Sequence, residues 1–340
     1  MKKLISLFLI IVMVFSLVAC NQNGSGKNEG NVEGTAAFPV TVTDHAGRQV
    51  TIEDKPEKLV SGYYISTSAL IALGLDENLV GIEAKAKSRP IYALSAPALI
   101  DLPNVGTAKE FNMEGCLALN PDLVILPLKL KNAAEQLEAL GVDVLLVNPE
   151  DQALLESMIN MIATATGTQD KAQALLGFAN TQKEMLTNAL KDVTAPKVYL
   201  AGNSSKLSTA GDAMYQSDMI RNAGGVNVAK DITDNYWVEI SYEQLLTWDP
   251  EYIILASDAK YTVSDVLTDP NLAGCTAVKN NNVYQMPSKA EAWDSPVPSG
   301  ILGSLWLASV LHPEAFTEAQ CNALIDEYYE TFYGFKYSEN

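Results

Sequence analysis

At 340 residues the chain is long enough for about two domains, and 48% hydrophobic against 19% charged residues describes a globular protein with a sizeable core. Its formal net charge of −18 argues against nucleic acid and anionic membrane faces as partners, because uniform repulsion would oppose both. Two histidines, His45 and His312, are too few for a His-rich site that holds a bare transition metal.

The chain opens with basic Met1-Lys2-Lys3, an apolar run from Leu4 to Phe15 broken only by Ser6, and then Leu17-Val18-Ala19-Cys20. The run is short for a membrane span and has the layout of a secretory signal peptide over residues 1–19, with an uncleaved anchor helix as the competing reading. Leu-Val-Ala-Cys resembles the bacterial lipobox, in which the Cys becomes a lipidated N-terminus. Two acyl chains suffice for stable anchoring, so the expected location is the outer face of the cytoplasmic membrane. Residues 20–37, rich in Gly, Asn and small polar side chains, predict a flexible tether.

An N-terminal α/β lobe is expected over 38–167. Alternating Val40-Thr-Val-Thr, then Asp44-His45-Ala46-Gly47-Arg48 and Gln-Val-Thr-Ile, predict a hairpin that leaves His45 as a solvated turn residue. Lys58 to Gly62 predicts a strand, Thr67 to Leu73 a helix stopped by Gly74, and Leu79 to Ile82 a strand. Tyr63-Tyr64-Ile65-Ser66 then forms a loop at the carboxyl end of a strand, where ligands collect on open α/β sheets. Packing and ligand contact both remain open for the two tyrosines. Ala84 to Val105, with Arg89 and Tyr92, is read as a long irregular and functional segment.

A repeated stretch follows. Glu114 stands seven residues before Pro121, an acidic residue follows the Pro, and an apolar run ends at Leu126; Glu243, Pro250, Glu251 and Leu255 repeat the arrangement. Asn112 and Ser241 are N-cap candidates, with Gln244 completing a capping box at the second. Each Pro ends its helix ahead of a buried strand, Leu123 to Leu126 or Tyr252 to Leu255. One helix-then-strand unit used in each half points to two similar lobes.

Helices over Lys131–Leu140 and Gln152–Thr166 flank a strand over Val142–Val147, and about 24 Pro-free residues up to Val193 predict a helix of about 36 Å within 168–194, suited to connect two lobes. The second lobe, 195–340, begins with a strand over Lys197–Ala201, and Asn203-Ser204 repeat the placement of Tyr63-Tyr64. Then come a helix from Tyr215, the pair Tyr236-Trp237, a strand over Val283–Met286, a loop with Trp293 and a helix from Ser299 to Leu311 that His312 trails. Cys116, Cys275 and Cys321 read as small buried hydrophobes.

Taken together, Val40-Thr-Val-Thr-Asp44 with Gly47-Arg48, Val105-Gly106, Ala118-Leu-Asn-Pro121-Asp122-Leu-Val-Ile125, Gly224-Gly225-Val-Asn227-Val-Ala229 and Glu243-Gln-Leu-Leu246 resemble the substrate-binding lipoproteins of ABC importers for ferric siderophores, haem and cobalamin. The resemblance covers almost the whole mature chain. It implies an α/β fold of two lobes joined by one long helix, with the ligand in the cleft between them and little lobe closure. It implies that Glu114 and Glu243 dock into arginine pockets of an ABC permease dimer served by its ATPase, although a first-turn Glu also complements a helix dipole by about 0.3–1 kcal/mol. It implies no cofactor, no enzyme activity and a monomer.

For the ligand, Tyr63, Tyr64, Arg89, Tyr92, Asn203, Ser204, Tyr215, Tyr236, Trp237 and Trp293 are the candidate contacts, and an aromatic cleft of this kind suits a metal chelate such as a ferric siderophore, haem or a corrinoid. The stretch from Trp293 to Trp306 also resembles family members whose ligands include oxyanions, so molybdate or tungstate is the alternative. A chelatase-like enzyme and an adhesion lipoprotein are readings of other classes; neither explains the repeated glutamates, and the former lacks a nucleophile, base and orienter set. Cys20→Ala is expected to leave the protein unanchored or with its signal peptide uncleaved. Membrane fractionation in which the variant is processed and retained like the parent would remove the lipidation site.

Overall fold

The computed structural model describes residues 37–234 and 236–339; the predicted signal peptide, Cys20 and the tether up to residue 36 lie outside them. Among the described residues no helix is long and apolar enough to cross a membrane.

The first half carries strands β1 (Val40–Thr43), β2 (Gln49–Ile52) and β3 (Leu59–Ser61), helix α1 (Tyr64–Ala72), β4 (Leu79–Ile82), helices α2 (Pro90–Ser95) and α3 (Met113–Ala118), β5 (Leu123–Pro127), α4 (Lys131–Ala139), β6 (Asp143–Val147) and α5 (Gln152–Thr166). Helix α6 (Gln169–Ala189) follows. The second half carries β7 (Lys197–Ala201), β8 (Ser208–Thr209), α7 (Tyr215–Asn222), β9 (Val226–Asn227), β10 (Val238–Glu239), α8 (Tyr242–Trp248), β11 (Tyr252–Leu255), α9 (Val263–Leu267), α10 (Thr276–Lys279), β12 (Val283–Gln285), α11 (Ile301–Leu311) and α12 (Glu318–Tyr333).

Two parallel sheets organise these elements, one ordered β4-β3-β5-β6 and the other β9-β7-β11-β12. The orders match position by position, so the lobes share one plan. The repeated unit supplies the same join in each. Asp122 Oδ2 accepts from the amides of Glu57 and Lys58 (2.9 and 2.8 Å), fastening the start of β5 to the start of β3. Glu251 Oε2 accepts from the Lys197 amide (2.8 Å) and does so for β11 and β7. The residue before each Pro, Asn120 or Asp249, has a positive φ of 49° or 44° that turns the chain out of its helix. Both N-caps form, Asn112 accepting from the Gly115 amide and Ser241 from the Gln244 amide. The return bond from the Gln244 side chain is absent among the described residues, so only half of the expected capping box is made.

Helix α6 has 21 residues, about 32 Å at 1.5 Å per residue. It buries Ala172, Leu175, Ala179, Gln182 and Leu186 at alternating steps of three and four, the spacing of one helical face. That face packs on α5 on one side and on α7 and α11 on the other. A second connection is absent from the sequence reading: α12, started by a capping box of Thr317 and Gln320, packs against α1 of the first lobe.

Several local expectations are corrected. Helix α1 begins at Tyr64, so Tyr64 to Ser66 lie in its first turn and not in a loop. Residues 84–105 contain α2 and short 3₁₀ turns, because Pro90 and Pro97 start helical turns as readily as they end them. His45 is not a solvated turn residue; its Nδ1 accepts from the Asn148 amide at 2.7 Å, which fastens the hairpin to the end of β6. Asp44 does the same from the other side, accepting from the Leu146 amide and from the Arg48 guanidinium. The three cysteines are buried and free.

Candidate functional site

The carboxyl ends of β3 and β4 in one lobe, and of β7, β11 and β12 in the other, deliver their following residues to one place. There a cavity of about 260 Å³ is walled by Tyr64 and Arg89 of the first lobe and by Asn203, Asp258, Glu291 and Ser295 of the second. A hollow of about 450 Å³ adjoins it on the first lobe alone, sharing Tyr64 and Arg89 with it. This is the crevice position expected for ligands on open α/β sheets.

Arg89 stands at the junction of the two spaces. It is the N-cap of α2, and its Cζ lies 4.1 Å from the centroid of the Tyr64 ring, a cation–π contact of about 0.5–2 kcal/mol depending on desolvation. Tyr63 meets Tyr64 edge to face at 5.3 Å and braces that ring. Among the described residues the guanidinium has no hydrogen bond and no ion pair, and its Nε is buried without a partner. A buried donor of this kind costs about 1–3 kcal/mol unless something accepts from it.

Two buried carboxyls, Glu83 and Glu291, feel its charge, and a third, Asp294, is buried beside the cavity residue Ser295; sequence reasoning gave none of them a part in the site. Glu83 accepts from the Tyr92 hydroxyl at Oε1 (2.6 Å) and from Thr67 Oγ1 at Oε2 (2.8 Å). Glu291 accepts from Ser68 Oγ at Oε1 (2.6 Å) and from Ser299 Oγ at Oε2 (2.5 Å). Asp294 accepts from the Ser257 amide at 3.0 Å. Burial holds all three above the usual carboxylate range, against the opposing pull of these donors. The cause is desolvation, which penalises the charged form of each carboxyl. The one available signal was position: Glu83 directly follows the apolar strand Leu79–Ile82, and Glu291 sits two residues before Trp293.

The predicted contacts divide. Tyr63, Tyr64, Arg89, Tyr92 and Asn203 border one or both spaces, Tyr92 while its hydroxyl holds Glu83. Ser204 is exposed beside Asn203 and borders neither. Trp293 is corrected to a core residue: it is 1% exposed, and its Nε1 donates to the Tyr329 hydroxyl at 2.9 Å. Tyr215 likewise packs in the core on α7. Trp237 packs against Gly202, where an added Cβ would come within 2.8 Å of its ring, and Tyr236 beside it is 66% exposed. Neither borders the two spaces. Glu114 and Glu243 are far simpler: both are exposed in the first turns of α3 and α8, with no side-chain partner among the described residues.

A family model described as periplasmic binding protein matches residues 59–290, more than half of the chain. The chain belongs to the periplasmic binding protein family. The molybdate-binding protein MolA of Haemophilus influenzae is 28% identical over 323 residues, 87% of this chain and 91% of that protein. Its solved structure with molybdate bound, classified with an ABC transporter, has a TM-score of 0.76 at 25% identity, covering 88% of this chain and 99% of that one. The Fe(3+)-citrate-binding protein YfmC of Bacillus subtilis is 27% identical over 81% of this chain and 88% of that protein. YvrC of the same organism, an uncharacterized ABC transporter substrate-binding lipoprotein, is 26% identical over 94% of this chain and 100% of that protein. The family resemblance drawn from the motifs is borne out. This periplasmic binding protein is a substrate-binding component of the ABC-transporter class, with two α/β lobes and its cleft between them.

The buried carboxyls generate a pH dependence of stability. An unfolded glutamate ionises near 4.5, whereas folded Glu291 holds its proton to higher pH. The folded state therefore binds more protons and loses stability as pH climbs above that value. Glu291→Gln is expected to flatten the decline in melting temperature measured between about pH 5 and pH 8. Equal slopes in parent and variant would remove Glu291 as a titrating group.

Proposed function

We propose that this protein is the lipid-anchored, extracytoplasmic binding component of an ABC importer, and that it captures a small anionic metal species between its lobes. The observation that carries the reading is Arg89, the cation of the two-lobe cavity, whose guanidinium has no acid partner among the described residues. Guanidinium donors are suited to oxygen-rich anions, and the burial that raises the pKa of Glu83 and Glu291 opposes competing negative charge beside it. Two relatives support this class of ligand, one named for molybdate and one for ferric citrate. The two solutes differ in chemistry but share negative charge around a metal centre.

Size narrows the choice. A cavity of about 260 Å³ is smaller than the roughly 300–1,000 Å³ typical of sites for drug-sized molecules. It suits an oxyanion or a compact chelate better than a corrinoid. A larger conjugated chelate is the second reading, favoured by the Tyr63 and Tyr64 rings beside the adjoining hollow. Binding without chemistry is part of the proposal. Both histidines are committed to structure, His45 to the Asn148 amide and His312 to the Gly224 carbonyl.

Delivery is assigned to Glu114 and Glu243, one on each lobe, exposed and without a side-chain partner among the described residues, on matching helices that begin the repeated unit. A monomer would present both to one permease dimer and its ATPase.

Removing the Arg89 charge tests capture. Arg89→Ala is expected to weaken binding of molybdate or ferric citrate by about 10–100-fold in calorimetric titration, the loss of a charge-assisted hydrogen bond. Unchanged affinity for both, or tight binding of haem or cobalamin alone, would defeat the small-anion reading. Delivery is tested separately: Glu114→Arg with Glu243→Arg is expected to abolish uptake while solution affinity stays at the parent value. Normal transport by a well-expressed double variant would end the docking role.

A further inference from the structure

Glu83 and Glu291 are held in the same way. The side chains that bond each carboxyl are all hydroxyls: Tyr92 and Thr67 for Glu83, Ser68 and Ser299 for Glu291. A backbone amide can only donate, whereas a hydroxyl donates or accepts as it rotates. When such a carboxyl takes up a proton, its new O–H can donate to one of these oxygens, provided that the hydroxyl's own hydrogen finds another acceptor. That acceptor is at hand in both places. Thr67 Oγ1 lies 2.8 Å from Ser61 Oγ and 3.2 Å from the Tyr63 carbonyl, and Ser68 Oγ lies 2.9 Å from the Tyr333 hydroxyl. Both shells therefore satisfy a charged or a neutral carboxyl without leaving a buried polar group unpaired.

Both carboxyls also border the spaces that Arg89 borders, Glu83 the hollow and Glu291 the cavity. Burial raises their pKa values, and the hydroxyl donors and Arg89 lower them. Arg89 acts on both, so whatever offsets its charge moves both carboxyls the same way. The other titratable groups facing them stay out of this exchange between about pH 6 and pH 8. Tyr64 of α1, Tyr92 of α2 and Tyr328, Tyr329 and Tyr333 of α12 have phenol pKa values raised by burial and keep their protons. Asp294 accepts from an amide, which can only donate, and Asp258 is exposed at the cavity edge. Neither histidine borders the two spaces.

We infer that capture is coupled to protonation: an anion that binds at Arg89 draws a proton from solvent onto Glu83, Glu291 or both, and binds more tightly as pH falls. The inference rests on the anion-binding reading above and adds its control by pH. The bound anion offsets the guanidinium charge, and the ionised carboxyls lose that support. A proton from the buffer then joins a carboxylate oxygen, while a hydroxyl turns to accept from it. By linkage, affinity changes by about tenfold per pH unit for each whole proton taken up.

Calorimetric titration of the whole protein with sodium molybdate, at about pH 6, 7 and 8 in PIPES and again in imidazole, tests this, because a proton-linked binding heat follows the buffer's heat of ionisation. The parent is expected to take up about 0.5–2 protons per molybdate at the pH of strongest coupling, and to bind about threefold or more weakly one pH unit above it. Glu83→Gln and Glu291→Gln each keep one acceptor and present an amide donor to the same hydroxyls. Each is expected to lower the uptake, and the two together to remove it. Equal heats in both buffers at every pH, or an uptake that survives both substitutions, overturn the coupling. The anion-binding reading fails by a different result, a parent that does not bind molybdate or that binds it equally after Arg89→Ala, and the coupling falls with it.

Discussion

A buried carboxyl group sits at the centre of the contacts that join the two lobes. Glu291 belongs to the second lobe, yet one of its oxygens accepts from Ser68 on α1 of the first, while the other accepts from Ser299 at the start of α11. The Tyr333 hydroxyl of α12 lies 2.9 Å from the same Ser68 Oγ, so the last helix joins the same knot. Breaking any one of these bonds would strand a polar group away from water at about 1–3 kcal/mol. A hinge opening wide at this point would break several together. The geometry therefore favours a cleft whose shape exists before the ligand arrives, with α6 as one brace and α12 as another.

Such pre-formation explains why the ligand groups sit where they do. Each lobe is a parallel sheet with the same strand order, and each turns its strand ends towards the shared cavity. The repeated unit keeps that arrangement through Asp122 and Glu251, which fix where the central strands begin and hence where they end. Its two glutamates lie on the helices before those strands, away from the cavity lining. In the proposed function, capture and delivery use opposite ends of one structural element, so either could vary without disturbing the other.

Much of this was legible because it is local. The bounds of β4, α5, β7 and β11 coincide with the periodic runs between Gly and Pro, and the repeat announced paired lobes. The aromatic residues were harder. Trp293, Tyr215, Tyr236 and Trp237 all read as cleft-lining by composition, yet the first two are buried and the others sit on the surface near Gly202. Nothing in the spacing of an aromatic residue tells which side of a loop faces a neighbouring lobe. Glu83 and Glu291 were passed over for the opposite reason: an isolated carboxyl in apolar sequence carries no motif, and only three-dimensional contacts reveal its partners. Helix α12 was missed although Thr317 and Gln320 gave a readable start signal.

The overall charge poses a problem that the cavity resolves over short distances. A chain with a net charge of −18 repels an anion at long range, which slows encounter. At physiological ionic strength, however, the Debye length is about 8 Å, so distant carboxylates are largely screened once the ligand reaches the cleft. What remains for the proposed ligand is the near field of Arg89, beside carboxyls whose pKa burial raises. Screening does not reach Arg89 Nε, because that atom is buried. On the proposed reading, the same burial that makes an unpartnered guanidinium costly makes it selective: an anion would be favoured there by the donor it satisfies, and a neutral solute of equal size would leave that cost in place.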